Sequence, residues 1–251
     1  AASVWSAPPG AINEFPAAFF LRFLRNHGLI GRGSWQWRTI SGGSQAYVCA
    51  IVAQLGQRAF KRTPVAGMER TADGVAICLT NGTRREFDTA VLACHANEAA
   101  QLLIDASPEE SAALGCFSYS KNHVALHTDS AMLPSRERAR ASWNYVTEDC
   151  RNQDSLTVTY HLNRLQALET QTDYCVTVNP TSALSRDEVK RDLCYEHPAY
   201  TFRTLEGQQR IAELNGKNRI YFAGAHLGYG FHEDGVASAV RVDELLGVKD
   251  A

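Results

Sequence analysis

The chain of 251 residues has almost no charge excess: 25 Lys and Arg stand against 27 Asp and Glu, a formal net charge of -2. That excludes a nucleic-acid binder working through a broad basic surface. The densest basic stretch, Arg136-Glu137-Arg138-Ala139-Arg140, reads as a solvated loop or helix face. No apolar run approaches the roughly 18 residues of a membrane span, and no leader pattern is visible. The seven cysteines are scattered singly without a CxxC pair, which argues against zinc and for reduced, mostly buried thiols in a cytoplasmic protein. The sequence holds no HExxH, no GxSxG and no phosphate loop, and His95, His123, His127, His161 and His197 are not spaced as metal ligands, so no metal is expected. GxGxxG is missing too, since neither "LIGRGSW" nor "ISGGSQ" fits it. There is also no initiator methionine before Ala1, which reads as a piece of a longer polypeptide.

What is present is ordinary globular composition, 45% hydrophobic and 21% charged, enough for one large or two small domains. Phe15, Phe19, Phe23 and Leu24 share a face and predict a helix to about His27, stopped by Gly28. A loop with Trp35 and Trp37 follows. Gly42 and Gly43 then precede a helix with Tyr47, Val48, Ile51, Val52 and Leu55 at helical spacing, ended by Gly56. "AFKRTPVAGMERT", "GVAICLTNG" and "RREFDTAVLAC" are β-type runs separated by Asp73-Gly74 and Asn81-Gly82, so a β-meander is expected near residues 60–94. "ANEAAQLLI" predicts a short helix, and Ser107-Pro108-Glu109-Glu110 is a helix start.

From Phe117 onward, "NHVALHTD", "ASWNYV", "SLTVTYHL" and "YCVTVNP" predict a second antiparallel sheet. "SRDEVKRDLCYEHP" reads as helical up to Pro198. The chain closes with "RIYFAGAHLGYGFHEDGVASAVRVDELLG": a buried strand at 219–223, a glycine-rich crossing, and a helix from Val236 to Leu246. Strand, glycine turn and helix N-terminus together form a geometry that receives a phosphate or an electron-rich heterocycle. One terminal βα unit needs parallel partner strands, which this chain barely supplies.

That closing stretch resembles the C-terminal end of the flavin-containing amine oxidoreductases, and more narrowly the branch of predicted NAD/FAD-binding proteins. "SVWSAPPGAINEFPAAFFLRFLRNHGLI", "WQWRTISGGSQAYV", "HTDSAMLP", "SWNY" and "YEHPAY" carry the same resemblance, in order, over nearly the whole chain. It implies a mixed α/β (α+β) fold in which a partial FAD-binding Rossmann-like domain is interleaved with an antiparallel-sheet substrate domain. The expected division is a substrate-domain helical segment at 1–34, an FAD-domain segment with the meander at 35–106, the substrate domain at 107–205, and the C-terminal βα unit of the FAD domain at 206–251. Relatives begin with a GxGxxG unit that holds the FAD pyrophosphate, so an upstream FAD-binding segment is expected as a partner.

The resemblance implies FAD as cofactor and hydride transfer from a C–N or C–C bond to flavin N5. The substrate would be a small molecule, an amine or a lipid-like compound. Cofactor contacts would come from Gly42, Gly43, Val65, Gly224, Glu233, Asp234, Gly235, Val236 and Ala237. Here Gly224 lets backbone approach the cofactor and Gly235-Val236-Ala237 forms a helix start whose dipole favours negative charge on the reduced flavin. Capping alone also explains Glu233 and Asp234. Many relatives carry an acid where this chain has Ala225. His232 and Lys121 fall at catalytic positions, although His232 also fits a structural histidine, and the match at Lys121 is one residue from Asn122. Trp143, Asn144, Tyr145, Tyr229 and Phe231 would line the substrate cavity. A different class remains open: a non-catalytic binding or assembly module derived from the same fold.

Overall fold

The computed structural model describes residues 2–5, 13–30, 38–146, 157–180 and 184–247. The loop with Trp35 and Trp37, and Cys150, lie outside them. The described chain clusters into two compact units, residues 1–59 with 119–197 and residues 60–118 with 198–251. The mixed helix and sheet content is the class that the sequence implies.

In the first unit, α1 (Ala2–Trp5) and α2 (Ala17–Asn26) come together through aromatics. The Trp5 ring lies 4.6 Å from Phe15 and 4.8 Å from Phe23, centroid to centroid. α2 ends where the spacing predicts, with His27 as its cap. α3 (Ser44–Leu55) starts at Gly43 and stops at Gly56, again as expected, but none of its residues is buried among the described atoms.

The first unit's sheet comprises β5 (Ser118–His127), β6 (Trp143–Val146), β7 (Thr157–His161), β8 (Cys175–Val178) and β9 (Val189–Ala199), in the order β6-β7-β8-β5-β9. The short helix α6 (Leu162–Gln166) follows β7. Period-2 alternation gives this sheet two unlike faces. Val124, Val158 and Val178 are buried on one. The other carries Thr157, Thr159, Thr177 and His127, all fully buried. Thr177 Oγ1 meets Thr159 Oγ1 at 2.8 Å and His127 Nε2 at 2.7 Å, a cross-strand ladder that satisfies these hydroxyls and leaves His127 Nδ1 buried without a partner among the described residues.

β9 corrects the helix expected over "SRDEVKRDLCYEHP". The segment turns at 186–188 and then runs extended beside β5. Thr128 N–H donates to Glu188 O at 3.1 Å, and Ser120 Oγ donates to His197 O at 3.4 Å further along. Its residues Val189, Arg191, Leu193, Tyr195 and His197 alternate with Lys190, Asp192, Cys194 and Glu196, a strand pattern with both faces partly wet. Pro198 is tolerated because β9 is an edge strand.

The second unit holds the meander β1 (Val65–Arg70), β2 (Val75–Leu79) and β3 (Arg84–Phe87), paired antiparallel as expected. The third predicted run breaks at Asp88-Thr89, and its second half, β4 (Ala90–Leu92), pairs in parallel with β10 (Ile220–Phe222). Helices α4 (Ala96–Leu102), α5 (Pro108–Leu114), α7 (Phe202–Leu214) and α8 (His232–Leu246) complete it. Ser107 caps α5 through Glu110 N–H, as its sequence signature predicts. Glu110 is itself buried and ion-paired to Arg70, which also binds Asp105 at 3.1 Å.

α7 has no counterpart among the sequence expectations. Its mid-helix Gly207 hides it from propensity, yet a Cβ there would meet Cys116 Cβ at 2.6 Å and Phe117 Cε2 at 2.8 Å. The six described cysteines are all free, as expected, but Cys49 and Cys194 are exposed and only Cys116 and Cys175 are fully buried. No helix among the described residues is long and apolar enough to cross a membrane.

Candidate functional site

Ligands of parallel α/β sheets sit beyond the carboxyl ends of the strands. In the second unit that edge is formed by Cys94 and His95 after β4, and by residues 223–231 after β10. β10 is fully buried and packs with α8 through a cluster of Tyr221, Ala223, Val242 and Leu246. The strand therefore delivers Gly224 to the edge in a fixed place.

Gly224 has φ 150° and ψ 158°, a conformation that side chains rarely adopt. A Cβ there would also meet Cε1 and Nδ1 of His226 at 2.7 Å. His226 is buried, packs edge-on against Phe117 at 5.0 Å, and its pKa is lowered to about 4, chiefly by burial and secondarily by His95. It is thus a neutral imidazole at neutral pH. From α7, Gln208 Nε2 donates to His226 O at 2.9 Å and to Gly228 O at 2.8 Å, which pins the crossing from one side. Sequence reading singled out neither His226 nor Gln208.

α8 begins at His232, a turn earlier than the expected start at Val236. The reason is Asp234. Its Oδ2 accepts the Phe231 N–H at 3.0 Å and caps the helix three residues upstream. The same carboxylate packs against Gly228, where a Cβ would lie 2.3 Å from Asp234 Oδ1. Capping therefore accounts for Asp234, and Glu233 beside it is exposed. Gly235 contrasts with Gly224. The nearest atom to a Cβ at Gly235 is Ala225 N, at 3.9 Å. A glycine inside a helix costs about 1 kcal/mol relative to alanine, and packing within the protein does not require one here.

The structure brings Gly224, Tyr229, Phe231, His232, Glu233, Asp234, Gly235, Val236 and Ala237 together on this crossing and the first turns of α8. Val65, at the start of β1, belongs to the same unit. Gly42, Gly43, Lys121, Trp143 and Asn144 belong to the other unit. There Gly42 and Gly43 form the positive-φ turn before α3, and Lys121 is exposed on β5. Trp143 is 46% exposed and stacks edge-on with Tyr160 at 5.7 Å, while Asn144 is buried, its amide bonded to Ala141 N and O and to Thr159 O. Among the described residues no group of His, Cys, Asp and Glu is placed to hold a metal.

The family model for flavin-containing amine oxidoreductases matches residues 10–167. The chain belongs to that family. No curated protein matches it in sequence. In fold it is similar to a fatty acid isomerase from P. acnes that produces CLA, with TM-score 0.60 and 16% identity over 94% of this chain and 59% of that one. It is also similar to reduced UDP-galactopyranose mutase (TM-score 0.60, 14% identity, 99% of this chain and 63% of that one). Putrescine oxidase bound to putrescine gives TM-score 0.54 and 14% identity over 82% of this chain and 53% of that one. The chain thus spans 53–63% of the length of these three structures.

The residues present fit the flavin that names the family. Gly235 leaves the N-terminal turn of α8 open where a side chain would stand, and the crossing before it is held by Gln208 and Ser238. The Gly224 N–H turns inward to Ser238 Oγ at 2.8 Å, so that amide is not offered to a ligand.

Proposed function

We propose that this chain is part of an FAD-dependent oxidoreductase that oxidises a C–N or C–C bond of an amine or lipid-like small molecule, taking a hydride from the C–H of one atom and releasing a proton from its neighbour. The observation that carries this reading is the open first turn of α8 at Gly235, beyond the carboxyl ends of two parallel strands, in a chain of the flavin amine oxidoreductase family. The second unit carries the proposed cofactor-binding turn. When bound, the flavin supplies a two-electron acceptor.

The chain's own residues have three tasks. The N–H groups and dipole of α8 stabilise negative charge placed against its first turn. His232, exposed at the start of α8, holds or moves a proton there, and Lys121, exposed on β5 of the first unit, is the other residue proposed as catalytic. Trp143, Tyr145, Tyr229 and Phe231 supply aromatic surface that orients substrate and excludes water. Isomerisation of a fatty acid and oxidation of a diamine both occur among proteins of similar fold, which is why both substrate classes enter the proposal. The GxGxxG element that holds the pyrophosphate is proposed to come from a further segment. The free thiols agree with a reducing, cytoplasmic setting.

The test is anaerobic mixing of the FAD-loaded protein with a panel of alkylamines and diamines and a panel of unsaturated fatty acids. Bleaching of the flavin band by one panel supports the oxidoreductase reading and selects the substrate class. A loaded protein that neither panel reduces, and that converts neither panel to isomers, fits the binding-module reading instead.

A further inference from the structure

We infer that Ser238 is a positioning residue of the α8 site, setting the distance between the Gly224 turn and the Gly235 turn. Ser238 is 1% exposed, and its single hydroxyl bridges these two glycines. Its Oγ accepts the Gly224 N–H at 2.8 Å and donates to Gly235 O at 2.7 Å. A hydroxyl has one proton, so the roles are fixed: donor to the carbonyl, acceptor from the amide.

Helix formation does not explain this residue. Serine is a poorer helix former than alanine by about 0.5 kcal/mol. A hydroxyl bonded back to a carbonyl of the preceding turn also tends to bend a helix. The partner that gives the hydroxyl a purpose lies outside α8, at Gly224. There the φ of 150° and the His226 ring leave no place for a side chain, so the backbone runs close against its neighbours. Gln208 holds the crossing from the α7 side at His226 and Gly228, and Ser238 holds it from the α8 side at Gly224. Between the two tethers the crossing has little freedom to shift along the first turn of α8. Ser238 also withholds the Gly224 amide from any ligand. What is positioned rests on the flavin reading above; the tether itself does not.

The test compares Ser238→Ala with Val242→Ala, which shortens a buried side chain of the same helix packed on Tyr221 and Ala223 and leaves the Ser238 hydroxyl bridge in place. In Ser238→Ala, amide exchange at Gly224 should accelerate by about tenfold or more while Tyr221 in β10 keeps its protection. In Val242→Ala the two amides should accelerate together. With FAD, Ser238→Ala should bind about tenfold more weakly and shift the midpoint potential of the bound flavin, while Val242→Ala leaves the potential unchanged. Unaltered Gly224 exchange in Ser238→Ala overturns the tether. Faster exchange with unaltered FAD affinity and potential overturns the positioning role. A folded wild-type chain that binds no FAD in any form overturns the flavin reading and, with it, what Ser238 positions, whereas the exchange result still decides the tether.

Discussion

His226 shows how one side chain links the fold of the crossing to pH. Its folded pKa of about 4 lies below the ordinary value of 6.5, because burial disfavours the charged ring. The unfolded chain therefore binds the proton more readily. The stability associated with the neutral ring is fully present above about pH 6.5 and is lost as pH falls toward 4, to a total of about 3 kcal/mol. In the other unit, burial lowers the pKa of His127 as well, with the same sign. Replacing His226 with Asn should flatten the fall in Tm between pH 7 and pH 4.5 relative to the wild type. An unchanged fall would show that the ring is not held neutral. The residue-level sequence reading found Gly224 and Gly235 through the resemblance but not His226, Gln208 or Ser238. Each of those is a common residue type whose role arises only from a partner 14 to 20 positions away or from packing. No spacing rule flags such a contact.

Elements explain both the successes and the failures of the sequence reading. The meander and α5 were legible because Asp-Gly and Asn-Gly turns and the Ser-Pro-Glu-Glu start are local chemistry. The charged residues of β9 satisfy a helical template about as well as a strand, and only pairing with β5 decides for the strand. β10 carries a feature of the same non-local kind. Its Phe222 points both backbone polar groups away from β4, and Asn215 at the end of α7 meets them, with Phe222 N–H donating to Oδ1 at 2.7 Å and Nδ2 donating to Phe222 O at 3.0 Å. One carboxamide thus stands in for a neighbouring strand at that edge. Asn215→Ala should lower unfolding free energy by about 2 kcal/mol or more, since Phe222 is 2% exposed and both groups lose their partner. A urea titration would show this as a lower midpoint at unchanged slope; an unchanged midpoint would mean that water replaces the amide without penalty.

At the scale of the whole molecule, the chain is divided between two units that interleave in sequence, with boundaries at 59/60, 118/119 and 197/198. The resemblance implies a division at 34, 106 and 205 instead. Gly224, Gly235 and the α8 start lie in the second unit, and Gly42, Gly43, Lys121, Trp143 and Asn144 lie in the first. The family assignment rests on residues 10–167, whereas the crossing at 222–238 is carried by its own geometry. The central claim is that this crossing and the open turn at Gly235 receive a flavin. The most direct measurement is a fluorescence and absorbance titration with FAD of the wild-type chain and of Gly235→Val, each tested alone and with the upstream segment supplied. The account predicts saturable binding by the wild type and affinity weaker by about tenfold or more for Gly235→Val, with both proteins equally folded. Equal FAD affinity of the two proteins, or no binding by the folded wild type in either form, would contradict it.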